Sequence, residues 1–128
     1  MTPQSINAPW ATGLTDSTTA IFIPATGWMS ASQIKFVRVV WELIVLLADL
    51  DVRPAYQVSD SADGNLTTFP VDTAFKDSSD VYYPSQWHDA SANVAGKQLI
   101  RFGWEIKLKA GTAITAGRMA GKFELKPQ

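Results

Sequence analysis

The sequence predicts an all-β fold, an antiparallel β-sandwich or jelly roll. Two long segments, at residues 34–47 and 98–109, alternate apolar and polar residues with a period of two, which is typical of strands with one buried face. A helix is the alternative for the first segment, where the leucines also fit a helical stripe, but its β-branched residues favour the strand. Turn-forming residues separate the apolar runs at short, regular spacing, as they do in sandwiches and jelly rolls. A chain of 128 residues is long enough to form one domain with its own core.

An extended N-terminal arm is predicted at residues 1–18, ahead of a single sandwich domain at residues 19–128. Pro3 and Pro9 are expected to preclude regular strand pairing in the arm. Fixing such a polar segment costs backbone entropy, so its apolar side chains are expected to lie on the domain or on a neighbouring subunit. These candidate interface residues are spaced four apart: Ile6, Trp10 and Leu14.

The domain is predicted to consist of strands joined by polar loops. Pro54 is expected to place its strand at a sheet edge or at a strand start. Residues 25–32 are predicted to form a loop, and residues 72–96 a long irregular insertion with at most one helical turn, within residues 72–80. The predicted strands are Thr19–Ile23, Ile34–Leu47, Val52–Val58, Leu66–Val71, Gln98–Lys109, and one or two closing strands at Ala113–Thr115 and Lys122–Leu125.

The two longest strands carry the same chemistry. Val37–Leu43 reads VRVVWEL and Ile100–Ile106 reads IRFGWEI, at an offset of 63 residues. With a gap of two, the match extends to RPAYQV from Arg53 and RMAGKF from Arg118. Either the two strands converged by chance, or an internal duplication gives the sandwich an approximate two-fold symmetry.

The alternation predicts which side chains face the core. Trp41 and Trp104 fall on the inward side of their strands and are predicted to be core anchors. If the two strands are antiparallel neighbours with Val40 opposite Gly103, oppositely charged residues also face each other. The predicted cross-strand ion pairs are then Arg38 with Glu105 and Glu42 with Arg101.

The first long strand also carries apolar residues on its outward side, where they need a cover. That cover is expected to come either from the arm or insertion of the same chain, or from another subunit. These residues complete one candidate interface: Phe36, Val40, Ile44 and Leu46.

Composition excludes several function classes. Without cysteine there is no disulfide, thiolate zinc site, iron–sulfur cluster or cysteine nucleophile. The net charge of −1 gives no overall field toward nucleic acid, and no apolar run approaches the length of a membrane span. The single histidine, His88, lacks a serine elbow, and the acidic loops fail the EF-hand register. We therefore expect a non-enzymatic protein with no cofactor and no metal.

An aromatic segment offers two interpretations. Tyr82, Tyr83 and Trp87 lie close together around Pro84. Their rings would stack on sugars in a carbohydrate-binding module, or they would dock a neighbouring subunit, where Tyr and Trp are enriched. Charge is divided as well, with −7 over residues 42–89 and +5 over residues 97–128, a division that favours head-to-tail contacts unless folding mixes the two signs.

The run IRFGWEIKLKAGTAITAGRMAGKFELKP, the proline-bearing arm and the cysteine-free, charge-poor β composition resemble the small β-sandwich virion proteins of tailed phages, such as head-decoration proteins. The resemblance covers about half of the chain and transfers no functional residue. It implies a structural protein at a capsid surface, located in the virion. The expected partners are a second copy of the chain or a capsid protein, without nucleic acid or membrane, and a glycan under the alternative.

Overall fold

A computed structural model describes residues 4–15, 19–32, 34–45, 50–60, 65–71, 75–76, 81–84, 86–108 and 115–126. They form two antiparallel sheets packed face to face, as the sequence predicts. In chain order the elements are β1 Gln4–Thr15, β2 Ile21–Pro24, β3 Met29–Ser30, β4 Phe36–Val45, β5 Leu50–Ser59, β6 Thr67–Pro70, β7 Val81–Pro84, β8 His88–Asp89, α1 Ser91–Val94, β9 Leu99–Leu108 and β10 Thr115–Lys126.

The strand order identifies a jelly roll. The first sheet runs β1-β10-β4-β7, with β8 also on β4, and the second runs β2-β9-β5-β6, with β3 also on β9. If β2 with β3 and β7 with β8 are each counted as one interrupted strand, the chain has eight strands. Their sheet orders are then 1-8-3-6 and 2-7-4-5, so the chain crosses between the sheets at nearly every connection.

Residues with period-two alternation build the core between the sheets. Trp41 of β4 and Trp104 of β9 are 1% and 0% exposed, which confirms that both are core anchors. Their ring centroids lie 5.2 Å apart at an interplanar angle of 41°, within the range that aromatic pairs prefer. Strands β5 and β10 supply further large buried side chains: Tyr56, Val58, Met119, Phe123 and Leu125.

The fold has an approximate two-fold symmetry in its topology. Advancing each strand number by four converts the first sheet order, 1-8-3-6, into 5-4-7-2, which is the second order read backwards. The strand of Trp41 thereby corresponds to the strand of Trp104. Two equivalent hydrogen bonds follow the same symmetry. After β3, the Ala31 N–H donates to the carbonyl of Gln98, just before β9, at 2.9 Å. After β8, the Ala90 N–H donates to the carbonyl of Lys35, just before β4, at 2.7 Å.

The ladders correct part of the predicted repeat. β4 pairs with β10, and Trp41 lies opposite Gly121; β9 pairs with β5, and Trp104 lies opposite Pro54. Phe123 lies opposite Val39 and Tyr56 lies opposite the equivalent Phe102, so Phe123 and Tyr56 are counterparts. The predicted alignment of Arg53 with Arg118 is therefore wrong by two residues.

The predicted pairs Arg38–Glu105 and Glu42–Arg101 are wrong, because β4 and β9 lie in opposite sheets. Equivalent strands of a two-fold sandwich face each other across the core, so each outward charge meets a residue of its own sheet. Arg38 pairs with Glu124 at 3.2 Å, and Glu105 pairs with Arg53 at 3.0 Å.

The predicted irregular arm is a strand over most of its length. β1 pairs with β10, and Pro9 falls at a shift in register between Ala8 and Ala11. A register shift leaves residues outside the ladder, which accommodates the missing proline N–H. Prolines therefore do not preclude pairing here, whereas the separation of residues 1–18 from the domain as an arm stays a prediction.

Pro54 marks neither a sheet edge nor a strand start, because it lies in the middle of β5, which itself lies between β9 and β6. Its carbonyl accepts a hydrogen bond from the N–H of Val71, on the β6 side, at 2.9 Å. In an antiparallel ladder the N–H and C=O of one residue point toward the same neighbouring strand. The N–H that Pro54 lacks would therefore point toward the end of the β6 ladder, and no hydrogen bond between β5 and β9 is lost.

Two predicted irregular regions contain regular structure. Residues 25–32 include β3, and residues 72–96 include β7, β8 and α1. A helical turn is formed by Ser91–Val94. The turn predicted within residues 72–80 lies outside the described residues, apart from residues 75 and 76. Residues 113 and 114 also lie outside the described residues, and from residue 115 a single strand, β10, closes the fold.

Gly121 should not tolerate a side chain. A Cβ there would lie 2.8 Å from the Cβ of Trp41 and 3.0 Å from Cη2 of Trp104. We expect Gly121→Ala to lower the free energy of unfolding by about 1–3 kcal/mol, as overpacked cores do. Gly27→Ala is the control, because a Cβ at Gly27 meets nothing within 4 Å. Denaturant unfolding measures both, and equal midpoints would contradict the packing described here.

Candidate assembly surface

The outer face of the second sheet is closed by the chain's own aromatic side chains. Gly103 is buried, and a Cβ there would meet the Ile23 carbonyl and, at 2.9 Å, the ring of Phe22. Glycine therefore lets Phe22 lie close to the sheet. Beside it, the Arg101 guanidinium lies 4.5 Å from the ring centre of Trp28 and donates to Gln57 Oε1 at 2.8 Å.

A second aromatic ring covers the other half of this face. The Arg53 guanidinium and the Lys107 ammonium lie 4.2 Å and 4.3 Å from the ring centre of Phe75. The Arg53–Glu105 ion pair is largely shielded, with side chains 20% and 12% exposed. Cation–π contacts at such partly desolvated positions are worth about 1 kcal/mol, so they hold this cover in place.

The outer face of the first sheet begins with the same arrangement. Arg38, the counterpart of Arg101, pairs with Glu124 and lies 4.4 Å from the ring centre of Trp87. Lys126 also lies against Trp87, at 4.2 Å, and 5.4 Å from the ring centre of Phe36. Trp87 is thus the counterpart of Trp28.

Among the described side chains, the centre of the first sheet is exposed. Val40 occupies the position equivalent to Gly103, opposite Pro84 on one side and Lys122 on the other. Val40 is 39% exposed and Lys122 is exposed. The outer face formed by Phe36, Arg38, Val40, Trp87, Lys122, Glu124 and Lys126 is called the open face below.

The structure brings only part of the predicted interface together. Phe36, Val40 and Trp87 share the open face. Of the other candidates, only the backbone is described for Ile44 in β4, for Tyr82 and Tyr83 in β7, which pair with β4, and for Ile6, Trp10 and Leu14 in β1, which pairs with β10. Leu46 lies outside the described residues.

One polar cluster crosses between the sheets where the two-fold symmetry breaks. Tyr56 Oη lies 2.9 Å from His88 Nε2 and accepts a hydrogen bond from Asn93 Nδ2 at 2.8 Å. Phe123 and Met29 occupy the equivalent positions. Burial lowers the pKa of His88, partly opposed by the Asp89 carboxylate, and burial raises the pKa of Tyr56.

The described residues do not assemble a metal-binding centre. Among those residues, no three His, Asp or Glu side chains come together in a way that would hold a metal ion. His88 is engaged with Tyr56, and Asp89 accepts hydrogen bonds from the N–H and hydroxyl of Ser91 at 2.9 Å and 2.6 Å. No described helix is long and apolar enough to cross a membrane.

A longer repeat carries the signal that sequence reasoning missed. The ladder registers equate β2 with β7 and the tryptophan before β3 with the one before β8. In the sequence these are IFIP followed by WMSAS, and VYYP followed by WHDAS, each leading to the Arg-x-x-Trp-Glu of a long strand. The tryptophan and the arginine of the long strand are four residues further apart in the second copy than in the first, because α1 lies between them there, and this difference conceals the match.

Comparisons with known proteins bear on the fold. No family model matches the chain, and no curated protein matches its sequence. A structure of the Gx strain of infectious bursal disease virus superposes on 97% of this chain with a TM-score of 0.66 and 10% identity. The crystal structure of the VP2 subviral particle of that virus gives 0.64 at 11% identity, again over 97% of this chain.

The structure of T=1 particles derived from the same virus gives a TM-score of 0.59 at 13% identity. This chain covers 31% or 32% of the viral chains, about a third of their length. At such low identity the likeness establishes the fold alone: this jelly roll has the same fold as about a third of the chain in these viral structures.

The His88 cluster predicts a pH dependence. Since the pKa of folded His88 lies below its unfolded value of about 6.5, the unfolded chain binds the extra proton first. Stability should be constant above that value and fall as the pH drops through it toward the folded pKa.

Replacing both polar partners with their symmetry counterparts, as His88→Met with Tyr56→Phe, should flatten the free energy of unfolding between pH 7.5 and pH 5. Urea unfolding at several pH values measures this slope. Asp89 titrates below this window, since its pKa is lowered by the Ser91 hydrogen bonds. An unchanged slope in the double variant would show that His88 is not the group responsible.

Proposed function

We propose that this chain is a structural subunit of a virus particle and acts through protein–protein contacts. The observation that carries the proposal is the superposition of nearly the whole chain on about a third of a capsid-particle protein. The asymmetry of the two outer faces supports it, since one face is closed within the chain and the other leaves Val40 exposed beside Lys122.

A head-decoration role on a tailed phage is the finer form of this proposal. It rests on the sequence resemblance, and the viral structures that share the fold come from a different kind of virus. Location in the virion and the absence of catalysis belong to the same proposal. We expect purified particles to contain the chain in multiple copies.

The carbohydrate-binding alternative keeps less support. A sugar stacks on a free aromatic face, whereas the ring of Trp87 already contacts Arg38 and Lys126. The side chains of Tyr82 and Tyr83 lie outside the described part of the structure. Glycan binding therefore stays a prediction without a geometric argument behind it.

Self-association is the direct test of the proposed role. The purified 14.0 kDa chain should form species of many subunits as its concentration rises, visible by analytical ultracentrifugation and negative-stain electron microscopy. Added glycans should leave this behaviour unchanged. A chain that remains monomeric up to millimolar concentration, alone or with glycans, and that is also absent from purified particles would contradict the proposal.

A further inference from the structure

We propose that this chain binds a small aliphatic carboxylate in a cavity beside α1. The cavity has a volume of about 330 Å³. It is lined by residues of two connections, the one from β3 to β4 at residues 31–35 and the one from β8 to β9 at residues 90–98. This ligand site goes beyond the proposed structural role, and neither depends on the other.

The cavity lies where the two halves of the fold differ in length. The two connections are symmetry counterparts, and hydrogen bonds tie them to each other at both ends. The Ala31 N–H bonds the Gln98 carbonyl, and the Ala90 N–H bonds the Lys35 carbonyl. Between these bonds the first connection has three residues and the second has seven. The longer connection forms α1 and stands away from the shorter one, which leaves the cavity between them.

Hydrogen bonds hold the longer connection in shape. The Val94 N–H donates to the Ala90 carbonyl at 3.0 Å, and the Lys97 N–H donates to the Val94 carbonyl at 3.0 Å. The Asn93 side chain donates to Tyr56 Oη in the core at 2.8 Å. The cavity is therefore formed before a ligand enters, which reduces the entropy lost on binding.

The buried part of the lining is apolar. Ala31, Ile34 and Val94 line the cavity, and all three belong to the hydrophobic core. The volume falls at the lower end of ligand pockets, which measure roughly 300–1,000 Å³. It is about twice the ~150 Å³ that accommodates benzene, so it has room for an aliphatic chain of about six to eight carbons with its polar head.

The charged side chains of the lining are both cationic. Lys35 and Lys97 line the cavity, and no carboxylate stands among the described lining residues. Asp60 lies 3.5 Å from Lys97, but its side chain is 62% exposed, and ion pairs at such positions are weak. Asp89 lies near Lys35 but accepts two hydrogen bonds from Ser91. The lining therefore favours a carboxylate head over a neutral or cationic one.

A matched set of probes tests this ligand chemistry. Sodium hexanoate, 1-hexanol and hexylammonium chloride share one aliphatic chain and differ in the charge of the head. Saturation-transfer difference NMR at neutral pH detects the bound chain through its methyl signal and requires only micromolar protein. Hexanoate should give a saturable signal, hexanol should bind about fivefold more weakly or less, and hexylammonium should give no saturable signal.

Two double variants locate the site. Lys35→Met with Lys97→Met keeps both apolar stems and removes both charges of the lining. It should weaken hexanoate binding by about fivefold or more and leave hexanol binding unchanged. Lys107→Met with Lys122→Met removes the same charge outside the lining and should leave the affinity for hexanoate unchanged. Circular dichroism verifies that both double variants are folded.

Three results would overturn the carboxylate site: no saturable binding of hexanoate, equal affinity for hexanoate and hexanol, or an equal loss of hexanoate binding in the two double variants. None of them bears on the proposed structural role, which is tested by assembly and by the composition of purified particles. Conversely, a chain that fails to assemble would still bind hexanoate if the cavity is a ligand site.

Discussion

The contact between Trp41 and Trp104 is the constraint on which the rest of the structure depends. The two rings meet across the core at 5.2 Å, and Gly121 of a third strand leaves the space they occupy. The distance between the sheets must allow the two rings to touch, and the register of β4 with β10 must place Gly121 opposite Trp41. Around it, the symmetry-related pairs Val39 with Phe102 and Phe123 with Tyr56 extend the buried layer.

The same symmetry explains how one chain presents two different surfaces. Arg38 and Arg101 each lie against a tryptophan and each bond a polar residue of the neighbouring strand, Glu124 or Gln57. The two faces differ at Val40 and Gly103: glycine lets the Phe22 ring lie against the second sheet, whereas Val40 on the first sheet is 39% exposed. One side of the jelly roll is therefore covered by the chain's own side chains, whereas the described part of the other side combines exposed Val40 with exposed Lys122.

The fold was largely predictable from the sequence, because period-two alternation in β4 and β9 reports directly on burial. The partners of each strand were not, because alternation shows which side of a strand is buried and says nothing of which strand lies beside it. Arg38 and Glu105 were matched by charge, although Arg38 could equally meet Glu124. Three of the predicted interface residues, Phe36, Val40 and Trp87, lie on the open face, and their role as an interface stays a prediction. The charged residues of that face on β10 could not be identified from the sequence, because they depend on the pairing of β10 with β4.

The most direct measurement compares lysine reactivity in the dispersed and assembled states. Acylation footprinting by mass spectrometry reports Lys122 on the open face and Lys107, which lies against Phe75, on the closed face. If a neighbour covers the open face, modification of Lys122 should fall severalfold on assembly while that of Lys107 stays constant. Unchanged reactivity at Lys122, or protection of Lys107 in its place, would contradict the assignment of the two faces.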